Sequence, residues 1–131
     1  MHFSMLSVLV ATFAAFIFGA LWYSPLLFIK PWGAAAGVDL GKGVDNPAKV
    51  YGLTFVQTLL AALAMAVVLG AGAGLTNGLL MGGLIGACVV STSLGINYLF
   101  AEQKFNHWLI DAGFHIGRFV LIGGILGGWP G

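Results

Sequence analysis

The feature of this sequence that most restricts its fold is a run of 52 residues, 50–101, without a charged side chain. As one α-helix this run would be about 78 Å long, more than twice the ~30 Å hydrocarbon core of a bilayer. It therefore has to turn back once. The turn-like chemistry inside it is the Gly-Ala-Gly-Ala-Gly-Leu-Thr-Asn segment at residues 70–77. The run predicts two membrane-spanning helices, at about 48–70 and 77–100.

Two further apolar segments flank this run. Residues 4–29 carry no charged side chain and predict a first spanning helix, and a fourth is predicted at about 107–129, after a short polar break. Asn46 followed by Pro47 is typical of a helix start, because asparagine caps the first turn and proline has no N–H to leave unpaired there. Residues 30–47, rich in glycine, are predicted to form an aqueous loop on the cytoplasmic side.

The composition favours a membrane protein over a soluble one. Only 7% of the 131 residues are charged and the mean hydropathy is +1.01, whereas soluble proteins carry roughly a quarter charged residues. The net charge of +1 provides no basic surface for nucleic acid, and the single cysteine, Cys88, excludes an internal disulfide. We therefore expect an all-α membrane protein, one domain over residues 1–131, with four transmembrane helices in two antiparallel hairpins packed tightly through Gly and Ala faces.

The lysine residues predict the orientation of the chain. Lys30, Lys42 and Lys49 lie in or beside the loop between the first two helices, and Lys104 lies between the last two. The opposite side has neither lysine nor arginine. Because cytoplasmic loops of membrane proteins are enriched in these residues, we expect both charged loops in the cytoplasm and both termini on the non-cytoplasmic side of the cell membrane, with the lipid bilayer as the surrounding partner.

The fourth helix carries most of the candidate chemistry. His107, Asp111, His115 and Arg118 are spaced four, four and three residues apart and fall on an arc of about 80°. A charge at the bilayer centre costs about 2.5–3.5 kcal/mol on insertion scales, so Arg118 should face protein or water. Asp111 and His115 are its nearest candidate partners. A structural ion pair that only orients the helix is the alternative to a ligand or ion site.

Polar side chains from other helices are predicted at the same depth. Gln57 on the second helix and Asn97 on the third lie in the halves nearest the lysine-bearing loops, as do Tyr23 and Ser24 at the end of the first. Polar groups from four segments at one level predict a shared pocket open to the cytoplasm. Its predicted lining, for ligand binding or proton relay, is Asp111, His115, Arg118, His107, Gln57 and Asn97.

Glycines at spacings of about four residues predict close contacts between helices, because a missing side chain lets two backbones approach. On the fourth helix they lie on the far side from the ionisable stripe, which indicates a second subunit on that face. The predicted packing glycines are Gly78, Gly82 and Gly86 on the third helix and Gly113, Gly117, Gly124 and Gly128 on the fourth.

Metal binding and catalysis have weaker support. His107, Asp111 and His115 repeat at one-turn spacing, but Arg118 one turn further would repel a divalent cation, and no second helix supplies His or Cys to complete the shell. We predict no metal and no cofactor. The sequence alone matches no Ser, Cys or Thr to a His and a carboxylate, so an enzyme is the least supported class.

Three blocks carry a resemblance to a known family. They are Leu-Trp-Tyr-Ser-Pro-Leu-Leu-Phe at 21–28 followed by Lys-Pro-Trp at 30–32, Leu-Ile-Asp-Ala-Gly-Phe-His at 109–115, and the glycine-rich end at 123–129. The chain resembles, over nearly its whole length, the small bacterial membrane proteins catalogued as domain of unknown function 1761. The resemblance implies a four-helix membrane architecture and brings no catalytic residues.

Two functional hypotheses follow from the sequence. The first is a transport or channel-like protein, expected to form an oligomer, that binds a small polar or anionic solute or relays protons. In it Arg118 would attract an anion, Asp111 would hold Arg118 in place, and His115 would titrate or donate. The second is a non-catalytic accessory or assembly subunit that docks its glycine faces against a larger membrane complex.

Overall fold

The computed structural model describes residues 4–41, 43 and 45–130, and within them the chain is helical and contains no strand. Four of its helical segments are long and apolar enough to cross a membrane. A π-helical turn, Gly86–Val90, joins α4 and α5 into one continuous span, Leu75–Phe100. The helices are α1 (Met5–Trp22), α2 (Ile29–Ala36), α3 (Pro47–Leu69), α4 (Leu75–Ile85), α5 (Ser91–Phe100) and α6 (Phe105–Gly128).

The first helix ends earlier than the sequence predicted. α1 stops at Trp22 instead of residue 29, because Pro25 has no N–H to donate to the carbonyl of Leu21. The Ser24 hydroxyl donates to that carbonyl instead, over 2.6 Å. The chain then turns, and the N–H of Phe28 bonds to the carbonyl of Trp22 over 3.0 Å.

A second correction concerns the predicted loop 30–47, whose first part is the helix α2. Pro31 lies in the first turn of α2, where a missing N–H is tolerated. Gly37 ends the helix with φ of 72°, a left-handed conformation that favours glycine. α2 packs against α6, and this contact brings Trp32 close to the start of α6. Lys42, one of the lysines that predict the orientation of the chain, lies outside the described residues.

The start of α3 and the turn into α4 follow the predicted chemistry. The Asn46 side chain accepts from the N–H of Lys49, and Pro47 is the first helical residue. The turn between α3 and α4 contains Gly70, Gly72 and Gly74, all with positive φ. Predicted helices at 48–70 and 77–100 therefore correspond to Pro47–Leu69 and Leu75–Phe100.

α6 is the helix around which the others pack. It contacts α1, α2, α3, α4, α5 and the π turn, whereas α3 and α4, although consecutive, contact each other little. The first half of α3, residues 47–57, is exposed apart from the half-buried Phe55. The core is small and lies in the other half of the spans. Its buried residues are Val8, Ala11, Ala15, Ala62, Met65, Ala66, Phe119 and Ile122.

α4 and α6 approach each other through glycine. A Cβ added at Gly78 would collide with the carbonyl oxygen of Gly123, and one added at Gly82 would collide with the carbonyl oxygen of Phe119. Conversely, a Cβ at Gly127 would meet the carbonyl oxygen of Gly74. The two backbones are therefore in direct contact along these turns, an approach that side chains would prevent.

The other glycines of α6 face side chains of the same chain. A Cβ at Gly113 would lie 2.9 Å from the Trp22 ring, and one at Gly117 would lie 2.6 Å from the Phe18 ring. The positions of Gly124 and Gly128 lie beside two leucines of α4, Leu79 and Leu75. The glycine face predicted to meet a second subunit thus has neighbours within one chain.

Candidate functional site

Asp111, on α6, is the centre of a polar cluster and only 7% exposed. The hydroxyl of Tyr23 donates to its Oδ1, and the hydroxyl of Tyr98 donates to its Oδ2 over 2.5 Å. The Nε2 atom of His107 lies 3.1 Å from the same Oδ2. Tyr23 follows α1, Tyr98 belongs to α5, and His107 precedes Asp111 by one turn of α6. One carboxylate therefore joins three separate parts of the chain.

His107 connects this carboxylate to the protein surface. Its Nδ1 lies 2.9 Å from Oε1 of Gln103, an exposed residue in the turn between α5 and α6. Its ring is packed at 4.7 Å against Tyr98 and at 5.8 Å, edge to face, against Trp32 of α2. The imidazole thus has a buried carboxylate at one nitrogen and a surface amide at the other.

Aromatic rings close the cluster on the α1 side. Tyr23 packs against Trp32 at 5.9 Å and against Phe114 at 5.3 Å, and the indole of Trp22 donates to the carbonyl of Ile110 over 3.0 Å. Burial, together with the hydrogen bond to Asp111, raises the pKa of the Tyr23 phenol, which lies just beyond the end of α1. The phenol therefore remains protonated and can donate to the carboxylate at neutral pH.

The sequence named Asp111 and His115 as candidate partners of Arg118. In the structure Arg118 bonds to His115 and does not pair with Asp111. Its Nε donates to Nδ1 of His115 over 3.0 Å, and its guanidinium lies 4.6 Å from the centre of the Phe119 ring. Among the described basic side chains, His107 is the one in contact with Asp111, with Nε2 3.1 Å from Oδ2. Arg118 is seven residues from Asp111, about 10 Å along the helix axis, and tyrosine and histidine already occupy the carboxylate. The predicted stripe thus divides into two separate pairs.

Gln57 and Asn97 are both exposed and stay outside the Asp111 cluster. Tyr98, the neighbour of Asn97, is the α5 residue that reaches the carboxylate, and the sequence pattern did not indicate it. The reason is the π turn, in which the N–H of Ser91 bonds to the carbonyl of Gly86, five residues earlier. The extra residue rotates everything after it by about 100° relative to a uniform α-helix.

The side chains after the π turn show this shifted register. The Ser91 hydroxyl donates to the carbonyl of Gly86 over 2.7 Å and approaches that of Ala112 on α6. A Cβ at Gly95 would lie 3.2 Å from the indole nitrogen of Trp108, which donates to the carbonyl of Ser91 over 2.9 Å. The face that continues from the packing glycines therefore runs through Ser91, Gly95 and Tyr98, whereas a uniform α-helix would continue it through residues 93 and 97.

The possible metal ligands of α6 are separated in the structure. His107 contacts Asp111, whereas His115 directs Nδ1 at Arg118. Among the described residues, no three His, Cys, Asp or Glu side chains are grouped so as to hold a metal ion. The arrangement places the His107 imidazole between a buried carboxylate and a surface amide.

Four long apolar helices, with a buried acid tied to three parts of the chain, are compatible with a multi-pass membrane protein that has an internal polar cluster. Residues 6–127 match the family described as "Protein of unknown function (DUF1761)", and the chain belongs to that family. The resemblance seen in the sequence is thereby confirmed. No curated protein and no solved structure matches the chain.

Proposed function

We propose that this protein is a small multi-pass protein of the cell membrane that transports protons, or a small polar solute together with protons, and that Asp111 binds the proton. The observation that carries the proposal is the position of Asp111, 7% exposed and bonded to groups from three parts of the chain. Acidic residues inside membrane-spanning segments are costly, and those that occur face the protein interior and mark ion or proton pathways.

The contacts of His107 support a route for the proton. An imidazole can accept a proton at one ring nitrogen and release one from the other. Nδ1 of His107 faces the exposed amide of Gln103 and Nε2 faces Asp111. A proton arriving from solution therefore has one side chain to cross before it reaches the carboxylate.

Protonation of Asp111 also has a mechanical consequence in this proposal. Hydrogen bonds to an ionised acceptor are roughly twice as strong as neutral ones. Neutralising the carboxylate therefore weakens the bonds from Tyr23 and Tyr98, which connect the end of α1 and α5 to α6. Proton binding would loosen these helix ends relative to each other, as alternating access of a transported solute requires.

We place this end of the bundle on the cytoplasmic side. Lys30, Lys49 and Lys104 all lie in or beside the connections at this end. The tendency of cytoplasmic loops to carry lysine and arginine supports that orientation.

Proton flux into liposomes tests the proposal. The purified chain is reconstituted with a trapped pH-sensitive dye, and a potassium gradient with valinomycin drives proton entry. We expect flux with the wild-type protein and a loss to the level of empty liposomes with Asp111→Asn. Asp45→Asn, which removes an exposed loop acid, is the matched control and should retain flux. Wild-type flux no faster than that of empty liposomes, or full flux in a folded Asp111→Asn protein, would refute the role.

The alternative, a non-catalytic accessory or assembly subunit, requires a glycine face available to a larger complex. Gly113 and Gly117 instead lie under the rings of Trp22 and Phe18 of the same chain, so the structure gives this alternative less support than the sequence did. Purification in a mild detergent distinguishes the two. A chain that runs alone, as a monomer or homo-oligomer, favours transport, whereas unrelated subunits in fixed proportion favour the accessory role.

A further inference from the structure

His115 and Arg118 form a second polar pair, separate from the Asp111 cluster and deeper in the bundle. Arg118 is flanked by about 20 Å of α6 on one side and about 15 Å on the other. At that depth neither water nor lipid headgroups surround an ordinary side chain. The guanidinium therefore needs hydrogen-bond acceptors that the protein or a bound ligand supplies.

The hydrogen bond within the pair fixes which groups remain available. Arginine has five N–H donors and no acceptor. Because Nε of Arg118 donates to Nδ1 of His115, Nδ1 carries the lone pair and the imidazole hydrogen lies on Nε2. The four remaining N–H bonds of Arg118 and the Nε2–H of His115 are all donors, so the pair presents a positively charged site with donors only.

No acidic side chain of this chain balances Arg118. The sequence contains four acidic residues, and three of them are exposed in loops and turns. The fourth, Asp111, bonds to Tyr23, Tyr98 and His107. Within the described residues, His115 is the hydrogen-bond partner of Arg118. None of the described acidic side chains pairs with Arg118, and an oxyanion from outside the chain would supply a compensating negative charge.

We propose that His115 and Arg118 bind a small planar oxyanion of the carboxylate type. The fork of a guanidinium matches the two oxygens of a carboxylate and donates two parallel hydrogen bonds to them. The rings of Phe119, at 4.6 Å, and Phe114, at 5.9 Å, lie against the guanidinium, and an apolar wall strengthens attraction between opposite charges. This site involves neither Asp111 nor its partners, so it stands or fails separately from the proton-binding role.

A property of the sequence makes this site directly observable, because Arg118 is the only arginine in the chain. Protein labelled with 15N-arginine and held in nanodiscs of zwitterionic lipid gives a single arginine Nε–H signal by NMR. The probe is sodium formate, compared with sodium chloride at the same ionic strength. We expect a saturable shift of the signal with formate and only a weak, non-saturating drift with chloride.

Three variants locate the effect. His115→Phe removes the partner of Nε and one donor and is expected to weaken formate binding at least tenfold. Should it not fold, His115→Gln keeps an acceptor for Nε and is expected to retain saturable binding. Asp111→Asn is expected to leave formate binding unchanged, so loss of proton flux in that variant and failure of the anion site are distinguishable results.

Three results would overturn the proposal. The first is a signal that responds to formate and chloride alike. The second is an Nε–H signal that shifts, in the absence of formate, with the number of protein copies per nanodisc, which would assign the acceptor to a second copy of the chain. The third is an equal shift when anionic lipid replaces zwitterionic lipid without formate, which would assign the oxyanion to a lipid headgroup.

Discussion

The hydroxyl of Tyr98 donates to Oδ2 of Asp111 over 2.5 Å and so fastens the end of α5 to α6. The other oxygen of the same carboxylate accepts from Tyr23, which fastens the end of α1. A buried carboxylate that loses a donor keeps the cost of its burial without the compensating bond. The stability of this end of the bundle therefore depends on two phenol hydroxyls.

Replacing Tyr98 with phenylalanine tests this dependence. The ring would still pack against His107 at 4.7 Å, and only the hydroxyl would be lost. We expect the free energy of unfolding to fall by about 1.5–3 kcal/mol, the range for a hydrogen bond to a charged group. Tyr51→Phe is the matched control, because Tyr51 is 54% exposed, and we expect a change within about 0.5 kcal/mol. Unfolding in a detergent titration measures the free energy of unfolding of both variants. A Tyr98→Phe protein as stable as the Tyr51→Phe control would contradict the prediction.

The contributions of Tyr23 and Tyr98 to the free energy of unfolding should also be coupled. Since both donate to one carboxylate, removing the first hydroxyl makes the second bond more important. We expect the Tyr23→Phe, Tyr98→Phe double variant to lose at least about 0.5 kcal/mol more than the sum of the single losses, the coupling typical of residues in one network. The same unfolding titration supplies the four free energies. Strict additivity would show that the two bonds act independently.

The sequence pointed to Asp111 and His107 on the fourth helix and to Tyr23 at the same depth, but not to Tyr98. An acidic residue and a histidine within an apolar segment can be read directly from the sequence. Which α5 residue meets them depends on the helical register, and the π turn at Gly86–Val90 changes that register by one residue. A uniform period points to Asn97, whereas the structure presents Tyr98. The residue types in the turn do not predict this shift in helical register.

The fold was predictable where it depends on bilayer thickness and helix caps. Three of the four spans begin and end within two residues of their predicted bounds. The first span was too long because the apolar run continues past Pro25 into α2. Hydropathy cannot distinguish a helix that continues from one that turns back. That distinction matters for the site, because α2 places Trp32 beside His107.

The glycine contact between α4 and α6 gives a third prediction. A Cβ at Gly82 would collide with the backbone of Phe119, which cannot move aside as a flexible side chain can. We expect Gly82→Ala to lower the free energy of unfolding by about 1–3 kcal/mol, as overpacking does in other cores. Gly52→Ala is the control, since nothing lies within contact of its added methyl group. Alanine is the better helix former, so this control should be neutral or gain up to about 1 kcal/mol. A Gly82→Ala protein as stable as the control would contradict the close approach.

The π turn itself gives the last prediction, which uses deletions. Val89 lies within the turn and is 55% exposed. Deleting it removes the one extra residue, so the span can become a regular α-helix while Tyr98 keeps its face toward α6. Ile96, 58% exposed and beyond the turn, is the matched control. Its deletion leaves the π turn in place and rotates Tyr98 by about 100° away from Asp111.

The measured quantity is the loss in free energy of unfolding that Tyr98→Phe causes in each deletion background. In the Val89 deletion the hydroxyl still reaches Asp111, so the substitution should remain costly. In the Ile96 deletion that bond is already lost, so the substitution should change the free energy of unfolding by less than about 0.5 kcal/mol. The reverse outcome, a costly substitution only in the Ile96 deletion, would show that the π turn does not set the register that brings Tyr98 to the carboxylate.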